Sequence, residues 1–419
     1  MSAMAGTLRP MAPVAGAARV VAPLAALHAA MFVYDLRHPE RFLNGDRARE
    51  RIEVIQGFAQ SGDLTAYLAS HGIVGDWLPQ ALLYLAGGQY LVIAVQLILA
   101  VLSVLWVRQI ARRIGLDERA AAGAAWLYAL LPHSLVFPHE LATEAIFIPL
   151  VILSFRLGAN AGGGLALGLA TLVRPFTALW PFVVFRRNFI ALALAPLLLW
   201  MSFMFLATGE LSMGRSGHDL GNNLYFRMER MGAEQQRPGG QTKATLVEYA
   251  RFVAAHPLAA AKHSAHDLAV LGGKSGIERV VLDYLDLYPE SRRELQNADT
   301  GWRSRVESRG VAAALLEVFQ EQPGLIVSSA LGAVLFLVFA ALAAYGALSR
   351  IREREWLLLA LFVLYVVATT QVVDAAQSRH RAPAEFALSL LAVAGWLALR
   401  KRRPGVRPAA TRVEPTLGG

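Results

Sequence analysis

The chain has 419 residues, 55% of them apolar and 17% charged, with a net charge of +9, no cysteine and a mean hydropathy of +0.43. Soluble domains carry about 25% charged residues, so this balance excludes a disordered chain and argues against an ordinary soluble enzyme. Disulfides, thiolate metal sites and cysteine nucleophiles are excluded, and the basic excess reads as cytoplasmic loops, not as a nucleic-acid surface, because the arginines cluster between apolar blocks.

The blocks, in chain order, are these. Met11 to Tyr34 carries only Arg19 and His28. Ala81 to Val107 has no charge, Ala120 to Pro138 has only His133, and Leu141 to Phe155 carries Glu144. Leu157 to Val173 is rich in Gly and Ala, which lets helices approach closely. Pro175 to Phe185 is short, the half of a bent hairpin. Asn188 to Gly209, Gln322 to Ser349 and Trp356 to Val373 are charge-free, and Ala382 to Leu399 carries only Glu385. A spanning helix needs roughly 20 apolar residues, so the blocks predict an all-α polytopic membrane protein of about ten transmembrane helices. The first block starts late and runs long, unlike a cleaved signal peptide.

Arginines set the orientation. Arg108, Arg112, Arg113 and Arg119, then Arg186 and Arg187, then Arg350, Arg352 and Arg354, and finally Arg400 to Arg403 fall on one side when the blocks are counted alternately. The positive-inside rule makes that side cytoplasmic, with both termini there. The opposite side receives residues 35–80, 210–321 and 374–381. The chain thus divides into an N-terminal transmembrane module (1–207) containing the first extracytoplasmic loop, an extracytoplasmic helical loop region (208–322), C-terminal transmembrane helices (323–403) and a Pro/Gly-rich disordered tail (404–419). Long loops cross regardless of their charge. Within the loop region, Thr245–His256 and Val311–Gln320 read as helices, and Gly221-Asn222-Asn223-Leu224-Tyr225 as a loop start.

Ionisable residues near membrane depth are costly and mark functional sites. Three clusters qualify, all extracytoplasmic. In Asn44-Gly45-Asp46-Arg47, Asp46 is a general base for a hydroxyl or the N-cap of an amphipathic helix over Arg47–Gln60. In His139-Glu140 with Thr143-Glu144, the side chains orient a substrate, hold a metal, or complement a helix dipole. In Arg379-His380-Arg381-Ala382-Pro383, arginine forks suit a phosphate, and Pro383 at a first helical turn aims free N–H groups and a positive dipole end outward. Arg174-Pro175 reads as a helix break with a snorkelling arginine. Lys274 lacks the spacing of a phosphate loop.

The order of these pieces resembles the C-type glycosyltransferase superfamily, specifically bacterial relatives of the dolichyl-phosphate-mannose–protein mannosyltransferases and the aminoarabinose transferase of lipid A. Asn44-Gly45-Asp46 matches the acidic motif of the first loop. The run from Asp76 to Tyr84 looks like the lead-in to the second span. Leu141-Ala142-Thr143-Glu144-Ala145, Leu172-Val173-Arg174-Pro175, Gly221-Asn222-Asn223-Leu224 and Arg379-His380-Arg381-Ala382-Pro383 resemble later family motifs in order. The resemblance implies an enzyme of the bacterial inner membrane that transfers a sugar from a polyprenyl-phosphate donor to a glycan, lipid or protein acceptor on the extracytoplasmic face. It implies Asp46 as the base, Arg379, His380 and Arg381 at the donor phosphate, and His139, Glu140 and Glu144 lining the pocket. No cofactor is assigned, and a divalent metal is the candidate. Two departures are a length below that of the protein mannosyltransferases and His139-Glu140 where some relatives have an Asp-Glu pair. Other readings are a flippase or transporter, which places charges mid-span and repeats its halves, and an oligosaccharide ligase using a diphosphate-linked donor, which has no need of Asp46.

Overall fold

The computed structural model describes residues 15–44, 48–63, 78–209, 216–232, 244–273, 275–277, 280, 284, 305, 308–321, 323–370 and 378–402. Among them the chain is all-helical. In chain order the helices are α1 (Ala15–Arg37), α2 (Ala48–Ser61), α3 (Leu78–Arg113), α4 (Glu118–Ala129), α5 (Pro132–Val136), α6 (Glu144–Leu157), α7 (Ala161–Val173), α8 (Trp180–Val184) and α9 (Arg187–Thr208). Then come α10 (Ser216–Arg230), α11 (Leu246–Ala255), α12 (Pro257–Gly273), α13 (Val311–Glu321), α14 (Pro323–Arg350), α15 (Arg354–Thr370) and α16 (Glu385–Arg402). Short 3₁₀ turns cover Pro39–Asn44, Phe137–His139, Pro175–Thr177 and Ser378–Ala384.

Five stretches are long and apolar enough to cross a membrane: Val20–Arg37, α3, α9, Ile326–Arg350 and Arg379–Lys401. A sixth is Glu118–Ala129 with Pro132–His139, if that pair, bent by 70°, is one crossing. The bend follows from Pro132, which cannot donate to the preceding turn. The block at Ala81–Val107 becomes a 36-residue helix, interrupted where Gly88 adopts φ 68°, a left-handed geometry that glycine alone enters cheaply.

Glycine also decides the tightest crossings. Gly346 of α14 and Gly395 of α16 face each other, and a Cβ on either would overlap the other helix's carbonyls. Gly164 and Gly168 of α7 lie against the backbone at Phe189 and Ala193 of α9 in the same way. In lipid, association rests on such close packing because helices gain nothing from leaving water. α16 is the central helix, with every residue from 385 to 392 buried. It packs on a ring cluster in which Phe155 stands 4.8 Å from Phe362 and 5.1 Å from Phe386.

Between α9 and α14, a smaller group of helices has its own ties. Arg227 of α10 pairs with Asp267 of α12 at 2.6 Å, both fully buried, and donates to the Tyr249 hydroxyl of α11 at 3.0 Å. The Gly221–Tyr225 run, read as a loop start, lies inside α10. Burial of Leu224, Arg227 and Met228 overrides its loop-like composition. Thr245 and Glu248 form a capping box at α11, where a helix was expected. α13 covers the second expected helix.

Two predictions follow from this packing. Gly395→Val forces α14 and α16 apart and destabilises the protein by about 2 kcal/mol, read as a lowered unfolding midpoint in detergent. Burial holds the His263 imidazole of α12 below its ordinary value of 6.5, against the opposing pull of Asp267. A depressed histidine contributes stability above its ordinary value and loses it as pH falls. Amide exchange across α12, corrected for intrinsic rates, therefore accelerates between pH 7.5 and about pH 5.5.

Candidate functional site

The C-terminal end of α1, the N-terminal ends of α3, α6 and α16, and the C-terminal end of α7 meet around the bent segment from Pro132 to His139. The apolar blocks bring their interrupting polar residues there, and each has found a partner, since an unpaired charge in this interior costs several kcal/mol.

His139 lies at the centre of one group. Its Nδ1 is 2.5 Å from Asp35 Oδ2, and its Nε2 is 3.0 Å from His28 Nδ1. With the Asp35 carboxylate as acceptor, His139 carries its proton on Nδ1 and accepts from His28 at Nε2. Arg41, in the turn after α1, stands 3.8 Å from the other Asp35 oxygen. Its guanidinium lies against the rings of Tyr34 at 4.9 Å and Tyr284 at 4.0 Å, an arrangement that favours a cation electrostatically.

Backbone carbonyls of the same segment are fastened by two glutamines of α3. Gln80 donates to the Ala142 carbonyl at 2.9 Å. Gln96, with its amide nitrogen turned toward the turn, donates to the carbonyls of Pro138 and Glu140 at 3.0 Å each and accepts from Gln80. Glu140 is itself buried. Glu144 opens α6 and pairs with Arg174 at 2.9 Å. Arg174 therefore turns inward to a carboxylate, and its expected snorkelling to the surface is corrected by that ion pair.

The second group surrounds Glu385, at the start of the most buried helix. His133 Nδ1 lies 2.8 Å from Glu385 Oε1, and Arg381 Nε donates to the same oxygen at 3.2 Å. Arg381 also donates to the Leu271 carbonyl and to the Ser275 carbonyl at 3.3 Å, and its guanidinium lies 3.6 Å from the centre of the Phe336 ring. It thus caps the C-terminal end of α12, where a cation is favoured by the helix dipole. Arg379 and His380 are half-buried on the same 3₁₀ turn. Pro383 sits in that turn and not in the first turn of α16, which Glu385 occupies.

Of the residues singled out in the sequence, His139, Glu140, Glu144 and Arg381 are thus gathered at one end, with Arg379 and His380 beside them. Asp46 and Lys274 lie outside the described residues, as does the 404–419 tail. Unforeseen were Asp35, Arg41, His28, Gln80, Gln96 and Glu385 as partners. For His28, Gln96 and Glu385 the signal was the rule applied only to clusters, single polar residues inside apolar blocks; Asp35, Arg41 and Gln80 lie just outside the blocks. Among the described residues, no group of three or more His, Asp or Glu is placed to hold a metal.

A cavity of about 30 Å³, lined by His28, His133, Tyr128, Ser134 and Glu144 among others, separates the two groups. It has room for one or two waters and none for a sugar ring. A larger cavity of about 160 Å³ lies at the opposite, arginine-rich end, beside Arg113, Arg186 and Arg354. There Arg112 pairs with Glu118 at 2.5 Å, and Arg113 caps the carbonyls of Phe155 and Arg156 at the end of α6 at 2.7 and 2.6 Å. Comparison with family models, curated proteins and solved structures finds no match to the chain.

Loss of one partner tests the pairing. Arg174→Gln removes the counter-charge of Glu144 and lowers stability by about 3 kcal/mol. Adding Glu144→Gln in the same chain restores most of it, and the cycle is read by chemical unfolding in detergent.

Proposed function

We propose that this protein is an integral membrane glycosyltransferase that moves a sugar from a polyprenyl-phosphate donor onto an acceptor hydroxyl. The observation that carries the reading is convergence. Ion-paired side chains from beside the first loop (Asp35, Arg41), from the second loop (His139, Glu144) and from the last loop (Arg381, Glu385) meet at the Pro132–His139 segment, although 104 residues separate Asp35 from His139 and 252 separate His133 from Glu385. A transfer site built from three loops requires that meeting.

The topology belongs to the same proposal. Taking α4 with α5, and counting α6, α7, the short apolar piece Pro175–Val184 and α15 as further crossings beside the five long spans, gives about ten passes. The Arg113 and Arg350 end then lies in the cytoplasm with both termini, and the Pro132–His139 end faces outward, in a bacterial inner membrane. The isoprenoid tail of the donor stays in lipid, so the site belongs at that interface.

The chemistry needs one base and one anion site. The donor is already activated by phosphate, so the leaving group requires charge stabilisation and not protonation. Arg379 and His380, on the half-buried side of their turn, are assigned to the donor phosphate, with Arg381 holding that turn against α12 and Glu385. Asp46 is the base, two residues beyond the turn that carries Arg41. His139, Glu140 and Glu144 shape the floor. Direct displacement inverts the anomeric centre.

The test is transfer from a radiolabelled polyprenyl-phosphate sugar panel with crude envelope as acceptor. Asp46→Asn loses about 10²–10⁴-fold in rate while donor binding and folding hold. Arg379→Ala weakens donor binding instead. Parental activity in both variants removes the site assignment, and absence of polyprenyl phosphate release from any monophosphate donor by the folded parent removes the reading.

A further inference from the structure

We infer that the cavity at the arginine-rich end is a binding site for the phosphate headgroup of an anionic membrane lipid. It lies at the end of the bundle remote from the proposed transfer site, and it does not rest on the glycosyltransferase reading.

The cavity, of about 160 Å³, is lined by residues of α3, α6, α8, α9 and α15. Its walls carry three arginines, Arg113, Arg186 and Arg354, against one carboxylate, Glu355. Arg113 is held in place by the carbonyls of Phe155 and Arg156 and by Glu355 at 3.7 Å. The side chains of Arg186 and Arg354 have no ion pair among the described residues. Ser154 of α6 is 2% exposed and lines the same cavity, and its hydroxyl has no hydrogen-bond partner among the described residues. Two uncommitted guanidinium forks and an uncommitted hydroxyl therefore border one space, and donors of this kind match a phosphate.

Helix ends add to the charge. Arg186 is the N-cap residue of α9, and no side chain caps that helix. Arg354 is the first residue of α15. Phe189 and Glu355, in the first turns of the two helices, line the cavity as well. Two positive dipole ends thus open beside it, where an anion is favoured.

The backbone is bent to bring this about. Phe185 holds φ 52° and ψ 47°, and among the described residues it is the one non-glycine at positive φ. That geometry is costly for an aromatic residue and persists only where the surroundings impose it. It turns the chain from α8 into α9 so that Val184 and Arg186 both line the cavity, while Phe185 is left 84% exposed. The positive-inside bias accounts for basic residues at this end but not for this selection, because the nearby Arg187 and Arg352 do not line the cavity.

Size and polarity point to a lipid. A cavity of about 150 Å³ admits benzene, so this one holds a phosphate with the first carbons of its glycerol and no acyl chain. Apart from Ser154 and the charged groups its walls are apolar, Trp180 and Leu359 among them, which suits those carbons and not a hydrated inorganic ion. The chains then lie over Phe182, Val183 and Phe185, all exposed. Basic pockets between membrane helices recognise anionic headgroups in this way.

The experiment is native mass spectrometry of the full-length protein, stripped of lipid in a neutral detergent and titrated with phosphatidylglycerol, with phosphatidylcholine of the same chains, and with inorganic phosphate. One phosphatidylglycerol binds at least tenfold more tightly than phosphatidylcholine. Arg186→Gln combined with Arg354→Gln weakens it about tenfold or more, and Ser154→Ala about fivefold. Arg187→Gln combined with Arg352→Gln removes the same charge from adjoining positions and keeps the parental affinity. All four arginines are exposed, so the unfolding midpoints without lipid stay parental. Equal weakening by the two arginine pairs, or none by either, overturns the site, and equal binding of the two lipids overturns its preference for an anion. Inorganic phosphate that binds as tightly as the lipid, with the same dependence on Arg186 and Arg354, overturns the lipid in favour of a soluble phosphate ester. Sugar transfer, present or absent, decides the glycosyltransferase reading separately.

Discussion

The cost of burying charge organises this molecule. Glu385 begins a helix whose first eight residues are all buried, and a lone carboxylate there is untenable. His133 and Arg381 answer it from the second and last loops, and Arg381 reaches further to the end of α12. That one requirement ties the central helix to the bent Pro132–His139 segment and to the helices between α9 and α14. The same requirement, met by His139 for Asp35 and by Arg174 for Glu144, ties in α1, the first loop and α7.

The two ends of the bundle solve the problem differently. At the arginine-rich end the ion pairs are partly exposed, and several are local. Arg112 and Glu118 are six residues apart, and Arg350 and Glu353 three, pairs of the kind that contribute little to stability. At the other end three buried pairs, His28 with His139, His139 with Asp35 and His133 with Glu385, join residues more than a hundred positions apart. Such long-range burial serves placement, because one misplaced helix breaks several pairs together.

The helices were legible in the sequence because each apolar block carries its own limits, down to Thr245 at α11. Clusters of charge were legible too: His139, Glu144 and Arg381 do gather. The partners were not. His28 and Gln96 are single polar residues inside apolar runs, and no local pattern reveals that His28 meets His139 or that Gln96 fastens the second loop. Arg174 was read from its neighbours alone and so assigned to the surface. The Gly-Asn-Asn run in α10 has loop composition, yet its apolar face and Arg227 are buried by α11 and α12, and tertiary packing wins over local preference.

The 70° bend between α4 and the Pro132–His139 segment has a mechanical consequence. His133 and His139 sit on one short arm, six positions apart, each fastened to a different part of the chain. The contact of His139 with Asp35 and that of His133 with Glu385 are therefore set together by one bend at Pro132.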